Sequence, residues 1–316
     1  MSARRAIGVD VGGTKTEALR VTDAGQIEAR SRLPTPAKDQ AATLGTIEQV
    51  VEDVLTDDVV AVGMGAAGLV DVSTGVLLAA PNIAWRNVPL RERIAGRFDR
   101  PVTVDNDATA AAWAEHLLGA GRGYRHLLFV GVGTGIGGGI VIDGRLTRGA
   151  HGLAGEIGHI IVEPGGPVCG CGNRGCWEQV AGGHALARAG ARAVLDDPES
   201  EIAKLARGDP ARATGELVAR AAAAGDGAAV AIVAEVGHRL GEGIAGLVNV
   251  LDPEAVVVGG GVSELGAPLL DPIRERFLEA VEFAAVRPEV TIVAAALGND
   301  AGAIGAAMLA LEAAGA

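Results

Sequence analysis

Twice along this chain an apolar strand runs into a glycine/threonine turn, returns as a second strand and ends in an Asp/Gly turn. The first copy spans Ile7 to Asp23-Ala-Gly25, around the turn Gly12-Gly13-Thr14-Lys15. The second spans Phe129 to Asp143-Gly144, around the turn Gly133-Thr134-Gly135. Such self-similarity reads as an internal duplication of supersecondary structure. It predicts two α/β halves with equivalent hairpins, facing each other across a cleft. The intervening pattern agrees. A helix near 40–56, a buried strand Val59–Met64, a strand Val102–Asp105 and a helix Asp107–Leu118 follow the first hairpin. After the second, the chain is mostly helical from Glu178 to Val250. It then enters the strand Ala255–Val258, closed by Gly259-Gly260-Gly261, a strand near Val290–Val293 and a last helix Ala301–Leu311. Strands alternating with helices imply an α/β architecture.

Composition sets limits on partners. Hydrophobic residues make up 49% of the 316, but aromatics only 3%, so Ala, Val, Leu and Ile must fill the core. A net charge of −12 supplies no basic field to attract nucleic acid. The N-terminus runs into a strand without a signal-peptide apolar region, and the longest stretch free of charge, Leu127–Ile142, is too short for a membrane span. Cysteine usage fits a reducing compartment. The expectation is a soluble cytoplasmic protein with no membrane or nucleic-acid partner.

All three cysteines lie in Cys169-Gly-Cys171-Gly-Asn-Arg-Gly-Cys176, with His159 ten residues upstream of the first. Three thiolates and an imidazole are the four ligands of a tetrahedral Zn²⁺. Three cysteines cannot all pair, and a disulfide leaves the histidine and the glycines without a role, so metal is the better reading. Four protein ligands leave no open position, which makes the metal structural. Glu156 and Glu178 belong to the same loop, so a metal that fixes it also fixes two acidic hydrogen-bond acceptors.

The glycine turns at 12–14, 133–135 and 259–261 each follow an apolar strand. Consecutive backbone N–H groups without a Cβ can bind phosphate oxygens, and the first turn adds the Thr14 hydroxyl and Lys15 ammonium. Neither hairpin turn has P-loop spacing or opens a helix. Together the three point to a nucleotide, with Mg²⁺ supplying charge compensation and Asp10, at the first strand's end, holding it through water. Asp105-Asn106-Asp107 sits between a strand and a helix. Helix capping alone accounts for Asp or Asn there. A carboxylate at a helix start in a cleft can equally take the proton of an attacking hydroxyl.

These elements resemble the ROK family of sugar kinases and repressors, within the actin/hexokinase superfamily. The resembling residues are Gly8-Val-Asp10-Val-Gly12-Gly13-Thr14-Lys15, Val104-Asp-Asn106-Asp107, Gly133-Thr134-Gly135-Ile-Gly137-Gly138-Gly139, Glu156-Ile-Gly-His159, the cysteine cluster with Trp177-Glu178, and Val258-Gly259-Gly260-Gly261. Gly65-Ala-Ala-Gly68 and Pro81-Asn82-Ile-Ala-Trp85 look most like the bacterial glucokinase branch. The resemblance implies an actin-like, ribonuclease-H-like two-domain ATPase fold with an interdomain cleft. The expected domains are 1–117 with 298–316, and 118–297. It implies ATP with Mg²⁺ as donor, structural Zn²⁺ on His159, Cys169, Cys171 and Cys176, and a hexose as acceptor, glucose first. Asp107 is then the base at the sugar 6-hydroxyl, and Asn82, Asn106, Glu156, His159 and Glu178 hold sugar hydroxyls. Gly12, Gly13, Thr14, Lys15, Thr134 and Gly135 serve the phosphates, and Gly259 and Gly260 the adenosine. The family often has Glu where Asp105 stands, a shortening not expected to touch the base.

Alternatives within kinases are N-acetylglucosamine, N-acetylmannosamine, mannose or fructose as acceptor, and polyphosphate as donor. A sugar-sensing repressor would carry a helix-turn-helix ahead of the first hairpin, where residue 8 leaves no room. A catalytically silent sugar binder would not need Asp107 or the turns. A homodimer or homotetramer is implied by the resemblance.

Overall fold

The computed structural model describes residues 3–80 and 83–315. Its strands and helices run β1 (Arg5–Val11), β2 (Lys15–Thr22), β3 (Ile27–Pro34), α1 (Gln40–Val54), β4 (Val59–Ala66), β5 (Leu69–Asp71), β6 (Val76–Ala79), β7 (Arg86–Pro89), α2 (Leu90–Phe98), β8 (Val102–Asn106) and α3 (Asp107–Leu118). They continue β9 (Leu127–Val132), β10 (Ile136–Ile142), β11 (Arg145–Leu146), α4 (Trp177–Ala181), α5 (Gly183–Asp196), α6 (Glu201–Leu205), α7 (Gly215–Ala223) and α8 (Gly227–Leu251). The last four are β12 (Ala255–Gly259), α9 (Ala267–Ala280), β13 (Thr291–Ala294) and α10 (Ala301–Ala313).

Two five-stranded sheets have the orders β3-β2-β1-β4-β8 and β11-β10-β9-β12-β13. In each, a hairpin is extended on one side by a third sequential strand and on the other by two later strands joined in parallel. The duplication read from the hairpins thus extends to whole sheets. A three-stranded antiparallel sheet, β5-β6-β7, is an addition that the pattern does not signal.

The chain forms two compact units: Met1–Arg125 with Gly139–Gly155 and Asn299–Ala316, and His126–Gly138 with Glu156–Gly298. The expected boundaries placed 118–125 and 139–155 in the second domain. They lie in the first unit because α3 runs to Leu118 and Gly139 lies against α3, where a Cβ would meet Ala112 and the carbonyl of Ala108.

In the first unit α10 packs on β1 and β4 at backbone distance. A Cβ on Gly8 would run into the carbonyl of Ala303, and one on Gly63 into that of Ala306. A helix made largely of alanine, laid on glycines, is how a chain poor in aromatics closes its core. In the second unit Trp177 is wholly buried against Gly243 of α8, and its Nε1–H donates to the carbonyl of Arg239 at 3.0 Å. Among the described residues no single helix is long and apolar enough to cross a membrane, and the pair α7–α8, which qualifies only when joined, is bent by 118°.

Candidate functional site

In the first unit, β8 delivers Asp105-Asn106-Asp107 to the start of α3, and the three side chains divide the work. Asn106 is the cap: its Oδ1 accepts from Thr109 N–H at 3.0 Å, and its Nδ2 donates to the Gly68 carbonyl at 3.2 Å. Asp105 is buried and accepts from Asn106 N–H at 2.9 Å and from Arg148 Nε at 2.8 Å. Asp107 Oδ1 accepts from Ala108 N–H at 2.9 Å. Capping therefore falls to Asn106, and Asp107 is not needed for it.

Asp107 and Asp10 share one neighbourhood. A Cβ on Gly302 would lie 3.5 Å from Asp10 Cγ and 3.7 Å from the Asp107 carbonyl, and one on Gly65 would lie 3.4 Å from Asp107 Cα. Glycine at both positions leaves the acids room. Burial, then the negative charge of Asp107, pushes Asp10 up to about 7, against the pull of Lys15. Burial raises Asp107 as well, opposed by the hydrogen bond from Ala108. Two carboxylates whose charged forms are this disfavoured suit oxygen coordination of a divalent cation, which relieves both.

The first turn is tied at both ends. Gly12 N–H donates to the Lys15 carbonyl at 3.0 Å, and Thr35 N–H donates to the Thr14 carbonyl at 2.9 Å. Because Gly12 N–H closes the turn, the groups there that remain open to an anion are the Gly13 N–H, the Thr14 hydroxyl and the Lys15 ammonium. Lys15 Nζ lies 3.4 Å from Oε2 of the wholly buried Glu17, whose Oε1 takes Arg30 and Arg32. Asn82 lies outside the described residues.

The second unit holds the thiol cluster and its acids. The donor atoms of His159, Cys169, Cys171 and Cys176 all lie within 4.8 Å of one another. Cys171 and Cys176 sulfurs are 3.6 Å apart, and Cys169 Sγ is 3.6 Å from His159 Nδ1. Tetrahedral bonds of about 2.3 Å to sulfur and about 2.0 Å to nitrogen set edges of roughly 3.5–3.8 Å. A disulfide would bring sulfurs to about 2.05 Å, so the cysteines are free thiols arranged around a metal position. Nδ1 is the nitrogen turned toward Cys169 and would ligate the metal, and Nε2 lies 3.8 Å from Glu156 Oε2. The next residues after Cys176 are Trp177, which pins α4 to α8, and Glu178, whose Oε2 occupies the space a Cβ on Gly135 would fill.

The second turn is held from behind by α5: Gly183 N–H donates to the Gly133 carbonyl at 2.9 Å and His184 N–H to the Thr134 carbonyl at 3.1 Å. Sequence reasoning missed this brace, whose one signal is Gly182-Gly183 opening a helix. After β12, Gly260 has φ +81° and a Cβ there would strike the Val132 carbonyl, so no other residue fits without displacing β9.

The geometry and the motif order coincide with known proteins. The ROK family model matches residues 6–313. This chain belongs to the ROK family. A glucokinase from Streptomyces coelicolor is 42% identical over 308 residues, covering 97% of each chain. An N-acetylmannosamine kinase from Citrobacter koseri is 36% identical over 315 residues, covering 96% of this chain and 98% of that one. The crystal structure of a ROK family glucokinase from Streptomyces griseus in complex with glucose and AMPPNP is 42% identical, covers 98% of this chain and 99% of that one, and superposes with a TM-score of 0.92.

Proposed function

We propose that this chain is an ATP-dependent glucokinase, transferring the γ-phosphoryl group of ATP to the 6-hydroxyl of glucose. The observation that carries the reading is the division of labour at the start of α3. Asn106 caps the helix, and Asp107 keeps a carboxylate of raised proton affinity. Such a base accepts the hydroxyl proton as the new O–P bond forms and the bond to ADP breaks. Asn106, Glu156, His159 Nε2 and Glu178 orient the sugar hydroxyls, and Asn82 is assigned to the same task. The Gly13-Thr14-Lys15 and Thr134-Gly135 turns hold phosphates, with Gly259 and Gly260 against adenosine. Asp10 would hold Mg²⁺, which neutralises phosphate charge. His159, Cys169, Cys171 and Cys176 would hold Zn²⁺, whose contribution is to keep Glu156, His159 and Glu178 in one arrangement.

The test is ADP release with a panel of hexoses and with ATP or polyphosphate as donor. Asp107→Asn should lower kcat by about 10²–10⁴-fold while calorimetric glucose binding persists. Near-wild-type turnover in that variant refutes the assignment. Preference for N-acetylmannosamine, the substrate class named for one relative, would move the reading to that sugar. The reading includes a cytoplasmic homodimer or homotetramer without nucleic-acid partners, consistent with the free thiols and net charge of −12. Sedimentation at assay concentration decides its oligomeric state.

A further inference from the structure

Asp105, beside the proposed base, has a partner that the motif does not contain. Arg148 directs two donors at one carboxylate oxygen: Nε at 2.8 Å and Nη2 at 2.7 Å from Asp105 Oδ2. The other oxygen accepts from Asn106 N–H at 2.9 Å, so the pair grips the residue that caps α3 and precedes Asp107. The backbone of Arg148 is engaged too. Its carbonyl accepts from Ala154 N–H at 3.0 Å, closing a loop that turns through Gly149 and Gly152, both at positive φ, and leads on to Glu156. One residue thus ties the β8–α3 junction to the loop that ends at a proposed sugar ligand.

We propose that Arg148 is a positioning residue for phosphoryl transfer, holding Asp107 in register through Asp105 and joining that register to the order of the 148–154 loop. This rests on the glucokinase reading. The side chain of Asp105 is 5% exposed, and the cation paired with it is Arg148, which is 29% exposed. Loss of the guanidinium leaves a buried carboxylate still tied to Asn106 N–H, so any shift of Asp105 is passed to the start of α3. A cavity of about 410 Å³, lined by Arg148, Asp105, Val104, Leu309 and Glu312 among others, reaches the pair from solvent. A small cation can therefore enter where the side chain is removed.

The experiment compares wild type, Arg148→Ala, Arg148→Lys and Asp105→Asn, each measured well below its own melting temperature. Arg148→Ala should lose between roughly ten- and a hundredfold in kcat, the range for a small misplacement of a reacting group, with KM for ATP unchanged. Guanidinium ion at millimolar concentration should restore part of it. Adding Asp105→Asn should cost nothing further. Amide hydrogen exchange over residues 105–110 should quicken in Arg148→Ala and slow again with guanidinium. If Arg148→Ala does not fold, Arg148→Lys, which keeps charge without the paired donors, carries the comparison. Wild-type kcat or unchanged exchange in a folded variant overturns the proposal. A wild type that exchanges as expected but turns over no glucose refutes the reaction and leaves the positioning contact standing.

Discussion

Replacing Glu17 by glutamine removes one negative charge from the centre of three cations, and should both soften the first unit and weaken ATP binding. Glu17 Oε1 accepts from Arg30 Nη1 at 2.7 Å and from Arg32 Nη2 and Nε at 2.8 and 3.0 Å, while Oε2 lies 3.4 Å from Lys15 Nζ. Removing one partner of a fully buried pair costs about 3–5 kcal/mol. Here only the acid is fully buried; Lys15, Arg30 and Arg32 side chains are 36%, 38% and 47% exposed and can regain water. Arg30 also keeps Asp300 at 2.6 Å, and the amide oxygen retains one acceptor. The loss is therefore discounted to about 2–3 kcal/mol. For a domain of 150–250 residues that lowers Tm by about 4–12 °C. Scanning calorimetry without ligands reads this directly. Steady-state kinetics should show KM for ATP rising several-fold with KM for glucose unchanged, because Lys15 loses the carboxylate that aims it. A Tm within about 1 °C of wild type would mean that the cluster behaves as a solvated surface network, and the argument for Glu17 as an anchor would fail.

Stability should also report on Asp10. Its folded value, pushed up to about 7 by burial and by Asp107, lies above the ordinary 3.8. A carboxylate raised on folding stabilises below its unfolded value and loses that contribution as pH rises through the folded one. In Mg²⁺-free buffer the gap between Asp10→Asn and wild type should widen in favour of the variant between pH 5 and 8, and a pH-independent gap would refute this. Metal removal has a distinct signature at the sugar residues. Cys169 Sγ lies 3.0 Å from Glu178 Oε1, so the loop that carries the metal donor set also positions a proposed sugar acceptor. Stripped protein should show KM for glucose raised roughly tenfold, about one charged hydrogen bond, with a lower Tm, and Zn²⁺ should reverse both. Unchanged KM in protein proved metal-free by elemental analysis would sever the cluster from sugar binding.

What the chain discloses before folding depends on how far apart the cooperating residues lie. The hairpins are legible because a glycine/threonine turn between two apolar runs is a local signal, and their repetition carried over to the order of both sheets. The metal position is legible because its ligand types are rare and crowded into one stretch. Helix α9 was hidden by Pro268 and Pro272: the first sits in the opening turn, where no N–H is required, and the second is accommodated inside the helix. Gly8 and Gly63 look like strand glycines of no consequence until α10 arrives from the far end of the chain.

The start of α3 is the sharper case. Asp105, Asn106 and Asp107 are equivalent as capping residues in sequence, and only distant partners separate them: Gly68 and Thr109 claim Asn106, and Arg148, 43 residues away, claims Asp105. Those two commitments exclude capping and pairing as the purpose of Asp107. An acid kept half-buried beside a second acid, at a cost to both charged forms, is the arrangement that the proposed role of Asp107 requires, to take a proton or a cation that arrives with the substrates.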